Sequence, residues 1–174
     1  PPDNEFPTFI TIPEGTKFTG RNKNVNTGFT FTTDRSHTVT QIDGLYCLKD
    51  ISIFEGKLIT EYYKILSGTT QRFILNNTDV DTSSITVSVR TSADVDSIST
   101  EYTQRDGIFG VTPVDPVFYI QPTDSDNYEI SFGKNVFGKQ PVVNNIVQVS
   151  YRISSKETAN GIRTFTSGTI SGYP

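Results

Sequence analysis

The sequence predicts a mainly β protein made of two small antiparallel β lobes, sandwich-like, with little helix. Three observations predict it. Apolar and polar residues alternate with period two in several segments, and helical periodicity is nearly absent. The same segments are rich in Val, Ile, Thr, Phe and Tyr, which suit a half-buried pleated surface. Gly, Pro, Asn and Asp stand between them, where turns are needed.

Taken in order, GFTFTT alternates through Phe29 and Phe31. EGKLITEYYKIL, Glu55 to Leu66, carries apolar residues that fit either a helix or a strand; its Ile and paired Tyr residues favour a strand. SGTTQ, Ser67 to Gln71, reads as a connection, so the expected division is an N-terminal lobe over 1–66 and a C-terminal lobe over 67–174. SSITVSVR places Ile85, Val87 and Val89 on one face and Thr86, Ser88 and Arg90 on the other. NYEISF repeats the pattern through Tyr128, Ile130 and Phe132, and NIVQVSYRIS through Val147, Val149, Tyr151 and Ile153.

Composition narrows the function. Hydrophobic residues are only 34% of the 174, but 12 Phe and 8 Tyr each bring a large area to bury. Lys and Arg number 15 against 19 Asp and Glu, and the basic residues are scattered. A nucleic-acid partner is therefore not expected, because binding to phosphates calls for a clustered basic excess. No apolar run reaches the roughly 20 residues of a spanning helix, so no membrane partner is expected either. The chain holds no Met and opens PPDNEFP, so it is expected to be a piece of a longer protein. Its one cysteine, Cys47 in LYCLK, excludes a disulfide within the chain. The apolar neighbours of Cys47 predict a buried, inert thiol, in keeping with assembly in a reducing compartment.

Chemistry is sparse. His37 is the only histidine, and Ser36 beside it would point to the opposite face of a strand, so the pair cannot aim at one substrate. The expected role is a turn or strand-edge histidine. One His and one Cys cannot furnish the usual zinc ligands. The pairs Asp79 and Asp81, Asp94 and Asp96, and Asp124 and Asp126 lack the glycine and distal glutamate of a helix-loop-helix calcium site. Aspartates in turns bond nearby backbone, which is the reading adopted. Asn76-Asn77-Thr78 fits a glycosylation sequon but is read as a turn, and Arg105-Asp106-Gly107 carries no adhesion meaning. No cofactor, metal or catalytic residue is expected.

The stretch SFGKNVFGKQP, Ser131 to Pro141, comes nearest to a binding motif. Gly133, Gly138 and Lys139 follow the phosphate-loop spacing, but Gln140 and Pro141 stand where a hydroxyl and a helix should follow. The expected alternative is a structural corner. Gly133 and Gly138 would supply positive φ, Phe132 and Phe137 would fold inward as anchors, and Pro141 would end donor pairing before the next strand.

With these residues in view, the segment from Asn127 to Gly161 resembles the hallmark region of the baseplate J-like proteins of contractile phage tails. That pattern runs roughly F-G-D-G-x-x-G, then P, then I-x-V-x-Y, then G-N-G. Tyr128, Ile130, Phe132, Gly133, Gly138, Pro141, Ile146, Val149, Tyr151, Asn160 and Gly161 fall on it. ITIPEGTKFTG, ISIFEG and QRFILNNTDVDTSSITVSV resemble earlier parts of the family, so the likeness covers most of the chain. Lys134 and Asn135 depart from it, standing where the family often has Asp-Gly. The resemblance implies a structural protein of the virion, a component of the tail-baseplate wedge assembled in the host bacterial cytoplasm. It would join copies of itself, as dimers within a ring, and other wedge proteins around the hub, and would rearrange when the tail contracts. Its structural-motif residues would be Phe132, Gly133, Gly138, Pro141, Tyr151, Asn160 and Gly161. Two other classes stay open: a receptor- or carbohydrate-binding β module, suggested by loop Tyr and Asn residues, and, more weakly, a hydrolase.

Overall fold

The computed structural model describes residues 7–22, 27–67, 72–94, 96–168 and 170. Among them the chain is mainly β, with fourteen strands and a single turn of 3₁₀ helix. It divides into two compact units, one formed by 1–57 together with 155–174 and the other by 58–154.

The first unit begins with β1 (Phe9–Ile12), β2 (Lys17–Asn22), β3 (Thr27–Thr33), β4 (His37–Ile42), β5 (Leu45–Tyr46) and β6 (Ile53–Glu55). β4 pairs with β1 on one side and β5 on the other. Asp43 and Gly44, with φ of 51° and 79°, close the β4–β5 hairpin where Ile42 faces Leu45. Two positive φ values suit a two-residue turn that matches strand twist. β2, β3 and β6 form part of a second sheet, in which Phe18 faces Phe31. The alternation expected for GFTFTT holds, since Phe29 and Phe31 are buried.

The second unit contains β7 (Lys57–Lys64), β8 (Phe73–Ile74), β9 (Val80–Arg90), β10 (Ser99–Gln104), β11 (Val117–Pro122), β12 (Tyr128–Phe132) and β13 (Ile146–Ile153). They make one nearly closed sheet in the order β7-β13-β9-β10-β11-β12-β8. EGKLITEYYKIL is thus largely strand, with Ile59, Glu61 and Tyr63 on the less exposed face of β7 and Leu58, Thr60 and Tyr62 on the other. β9 and β13 run antiparallel with Val87 opposite Val149 and Val89 opposite Val147, until a bulge between Ser150 and Arg152 shifts the register. Val147, Val149 and Tyr151 are fully buried and Ile85, Val87 and Val89 nearly so, as the alternation predicts. Each such valine contributes roughly 1.5–3 kcal/mol of hydrophobic stabilisation. The rings of Tyr63, Phe73, Phe132 and Tyr102 continue this core in a chain of edge contacts, 5.3 to 5.6 Å between centroids.

One pairing departs from the antiparallel expectation. β10 and β11 are parallel, with Thr103 opposite Val117. Parallel neighbours need a long crossover, and the segment 105–116 supplies it without a helix.

The expected lobe boundary at 66/67 needs correction. Ile65 is 2% exposed inside the second unit's core, and its N–H and C=O both pair across to Asn145 and Asn144, at 2.9 and 3.0 Å. β7 therefore belongs with β13, and the chain enters and leaves this unit on neighbouring strands. After Ser154 it returns to the first unit, through the 3₁₀ turn Lys156–Ala159 and β14 (Phe165–Ser167), which pairs with β2. The order of that second sheet is β14-β2-β3-β6. Ala159 and Ile162 join Phe29 and Phe31 in its core, and Phe165 meets Phe31 edge-on at 4.9 Å. The expected connection at Ser67 to Gln71 lies mostly outside the described residues.

Replacing Val149 with Asp places a charge with no partner at a fully buried position. The expected loss is about 4 kcal/mol or more, read as a fall in the urea midpoint. An unchanged midpoint would contradict the inward assignment of β13.

Candidate functional site

The corner at Ser131 to Pro141 is held by bonds within its own backbone, by two of its side chains, and by Asp115 and Tyr119. Gly133 C=O accepts from the N–H groups of Val136 and Phe137, both at 2.9 Å, and Asn135 N–H donates to Gly138 C=O at 2.9 Å. Lys139 N–H donates to Asp115 C=O at 2.7 Å. Side chains close the rest: Lys134 N–H reaches Gln140 Oε1 at 3.0 Å, and Gln140 N–H reaches Asn135 Oδ1 at 2.8 Å. The Tyr119 hydroxyl donates to Phe137 C=O at 2.7 Å. A phosphate-cradling loop must present free N–H groups to its anion. Here the N–H groups of residues 134–137, 139 and 140 are already committed.

The two glycines serve different needs, which corrects the expectation that both supply positive φ. Gly138 does, at 124°, and a Cβ there would also press Val117 Cγ2 at 2.5 Å. Gly133 is required by close approach instead: a Cβ would stand 1.9 Å from Phe137 O. The left-handed residues are Lys134 and Asn135, with φ of 54° and 56°. Asn tolerates that region better than most residues because its short amide bonds locally, as Asn135 does to Gln140. A second correction concerns Phe137, which is 44% exposed, whereas Phe132 is buried as expected. The backbone of Phe137 is pinned by Gly133 and Tyr119, and that geometry leaves its ring outside. Pro141 is fully buried.

The remaining motif residues lie in other settings. The Tyr151 hydroxyl donates to Glu61 Oε1 and accepts from Asn77 Nδ2 at 2.6 Å. The other Glu61 oxygen accepts from the Tyr63 hydroxyl and from Asn76 Nδ2. Burial first, and then the bond to the Glu61 carboxylate, pushes the Tyr151 hydroxyl up to about 12. The Tyr63 hydroxyl is raised further for the same two reasons. Asn160 and Gly161 belong to the first unit, not to a C-terminal lobe. There Asn160 N–H donates to Glu157 C=O at 3.1 Å, and Gly161 turns the chain with φ of 84°. The hallmark residues thus act at three places in the backbone and do not converge.

Glu61 was not singled out from the sequence, and Asn76 and Asn77 were read there only as part of a turn. The signal for Glu61 was its place in the alternation of KLITEYYK, which puts it on the face of Ile59 and Tyr63. The asparagines carry no local pattern that foretells a partner so far along the chain.

Beside the corner lies an open depression of about 420 Å³, lined by Ile108, Tyr119, Gln121, Ser131, Lys134 and Phe137 among others. Tyr119 and Ser131 face each other across β11 and β12, forming part of its floor. A second depression of about 420 Å³ is polar and includes Arg72 and Glu129. Arg72 Nε donates to Glu129 Oε1 at 2.9 Å, and this fork holds the carboxyl below its usual range.

His37 starts β4, a strand-edge position, and its Nε2 is buried without a hydrogen-bond partner. Ser36 Oγ turns to Glu14 N–H at 3.2 Å. Cys47 is exposed, correcting the expected burial. It follows the two-residue β5, and apolar neighbours in sequence bury a thiol only where another layer covers them. Asp79, Asp94, Asp96, Asp124 and Asp126 lie in turns or bends, as expected: Ser92 Oγ donates to Asp94 Oδ2 at 2.8 Å and Asp126 has a φ of 60°, whereas Asp81 lies within β9 and accepts from Ser83 N–H at 3.1 Å. Among the described residues no three His, Cys, Asp or Glu side chains are grouped as metal ligands.

Together the fold and the corner define a two-unit, mainly β protein whose most distinctive motif is a backbone-bonded turn. No protein-family model matches the chain, and no curated protein matches it in sequence.

Gly138→Val forces a branched residue to positive φ against Val117, and roughly 1–3 kcal/mol of strain is expected in thermal or urea melts. Lys134→Ala and Lys139→Ala should leave the melt within about 0.5 kcal/mol, since both side chains are exposed. A ligand loop would show the reverse, with binding lost and the melt intact. The raised Tyr151 pKa gives a second test. A phenol whose folded pKa exceeds its unfolded value of 10.0 stabilises fully below pH 10 and loses that contribution as pH rises through about 12. Tyr151→Phe should therefore flatten the fall in urea midpoint over that window, and parallel curves would refute the linkage.

Proposed function

We propose that this chain is an internal portion of a baseplate wedge protein of contractile-tailed phages of the T-even type. It acts there as a structural element of the virion. In this reading it associates with copies of itself and with other wedge proteins in the ring around the hub, and it shifts its contacts when the tail contracts. Catalysis has no part in it.

One observation carries the reading: the residues behind the baseplate J-like resemblance sit where backbone geometry and packing leave little choice. Gly133 admits no Cβ, Asn135 is left-handed where the family often has Gly, and Pro141 and Tyr151 are fully buried. A likeness of surface residues alone would carry no such constraint. Assembly is also favoured by the exposure of large apolar residues near the corner, with Phe109 96% exposed, Val136 56% and Ile108 46%.

The second reading, a receptor- or carbohydrate-binding module, draws on the depression beside the corner. Tyr119 and Phe137 offer ring surface there, and Gln121 and Ser131 offer hydrogen bonds.

Co-expression of the complete protein with wedge proteins, followed by purification and electron microscopy, separates the two. Ring or wedge assembly by the parent, and its loss in Phe109→Asp with an unchanged melt, is the expected result. Failure of the parent to associate with any wedge protein, together with glycan-array binding abolished by Tyr119→Ala, would replace the structural reading with the second.

A further inference from the structure

Among the described residues the seven-stranded sheet has two end strands, β7 and β8, with no backbone ladder joining them. What crosses this seam is a set of side chains centred on one carboxylate. Glu61, on β7, accepts from Asn76 Nδ2 at 2.8 Å and Asn76 N–H at 3.3 Å, just beyond β8. It also accepts from the hydroxyls of Tyr63 and Tyr151. A carboxylate offers about four lone-pair sites, and four donors here converge on it. Tyr63 adds a further link to β8, where its ring meets Phe73 edge-on at 5.3 Å.

β8 contributes little of its own. It has two residues, paired on its far side to Glu129 and Ile130 of β12 and braced there by the Arg72–Glu129 ion pair. Directly behind the seam lie Phe73 and Leu75, 5% and 0% exposed, with Ile65 at 2%. The other neighbours in the sheet are joined by backbone ladders, short between β8 and β12 and long between β9 and β13. A seam closed by side chains can part and loosen the end strands β7 and β8 while the ladders of β9 with β10 and β13 persist, because stability is not uniform across a structure.

We propose that Glu61 is the latch of this sheet: its carboxylate holds β7 to the segment around Asn76, and without it the second unit opens at the β7–β8 seam while β9, β10 and β13 stay paired. Opening uncovers the Phe73 and Leu75 side of the core and the free edge of β7, an eight-residue strand able to accept another strand. The device concerns the second unit by itself and does not depend on the baseplate reading.

Hydrogen exchange followed by mass spectrometry on the full chain tests it. In Glu61→Ala, exchange at β7 and at residues 72–77 is expected to quicken on the order of tenfold, while β9 and β10 stay within about twofold of the parent. A uniform rise over all strands, or no change at the seam, overturns the proposal. Should Glu61→Ala fail to fold, Tyr63→Phe keeps the ring against Phe73 and removes only the hydroxyl. The same local pattern at smaller amplitude is then expected, and unchanged exchange at residues 72–77 overturns it. Arg72→Ala, which removes the brace on the other side of β8, should leave β7 at the parental rate; quickening of β7 equal to that in the Glu61 variant would assign the latch elsewhere.

Discussion

The ladder between β9 and β13 is the constraint on which the second unit depends. β9 is its longest strand, and β13 faces it along most of its own length with valine opposite valine on the inner face. β10 is laid against the free side of β9 and β7 against that of β13. Because side chains alternate across a strand, a one-residue slip in this ladder would turn Val147, Val149 and Tyr151 outward together. The bulge after Ser150 relaxes the register only where Arg152 N–H leaves the ladder for Ser84 Oγ, at 2.8 Å.

The corner and the tyrosine–glutamate cluster solve the same problem by different means. At the corner, close approach of backbone to backbone is possible only because Gly133 lacks a Cβ, and local N–H groups meet local carbonyls. In the cluster, two phenols and an asparagine from separate strands and turns satisfy one carboxylate. Backbone bonds of the first kind do not vary with side-chain chemistry. Bonds of the second kind depend on the charge of Glu61 and on hydroxyls whose pKa it helps to raise. The rigid feature and the adjustable one thus lie in the same unit.

The polar groups of the corner and of the turns are largely engaged with one another. The amides of 134–137, 139 and 140 are occupied, the corner's two lysines are exposed, and most of the paired aspartates lie in turns or bends. Large apolar side chains such as Phe109 and Val136 are exposed. The structural role proposed above would draw on these exposed side chains.

The sequence by itself determined the mainly β class, the inward faces of β3, β9, β12 and β13, and the corner as a turn. Each of these follows from local rules: period-two alternation, β-branched and aromatic composition, and the turn chemistry of Gly, Asn and Pro. The tertiary structure alone decided that β7 joins β13 and that Asn160 and Gly161 return to the first unit. It also decided that β10 and β11 run parallel, that Cys47 stays uncovered, and that Gly133 is required by contact, not by φ. These are outcomes of which segments meet across long stretches of chain. Pairing partners and covering layers are set by the whole packed core, and no window of neighbouring residues contains that information.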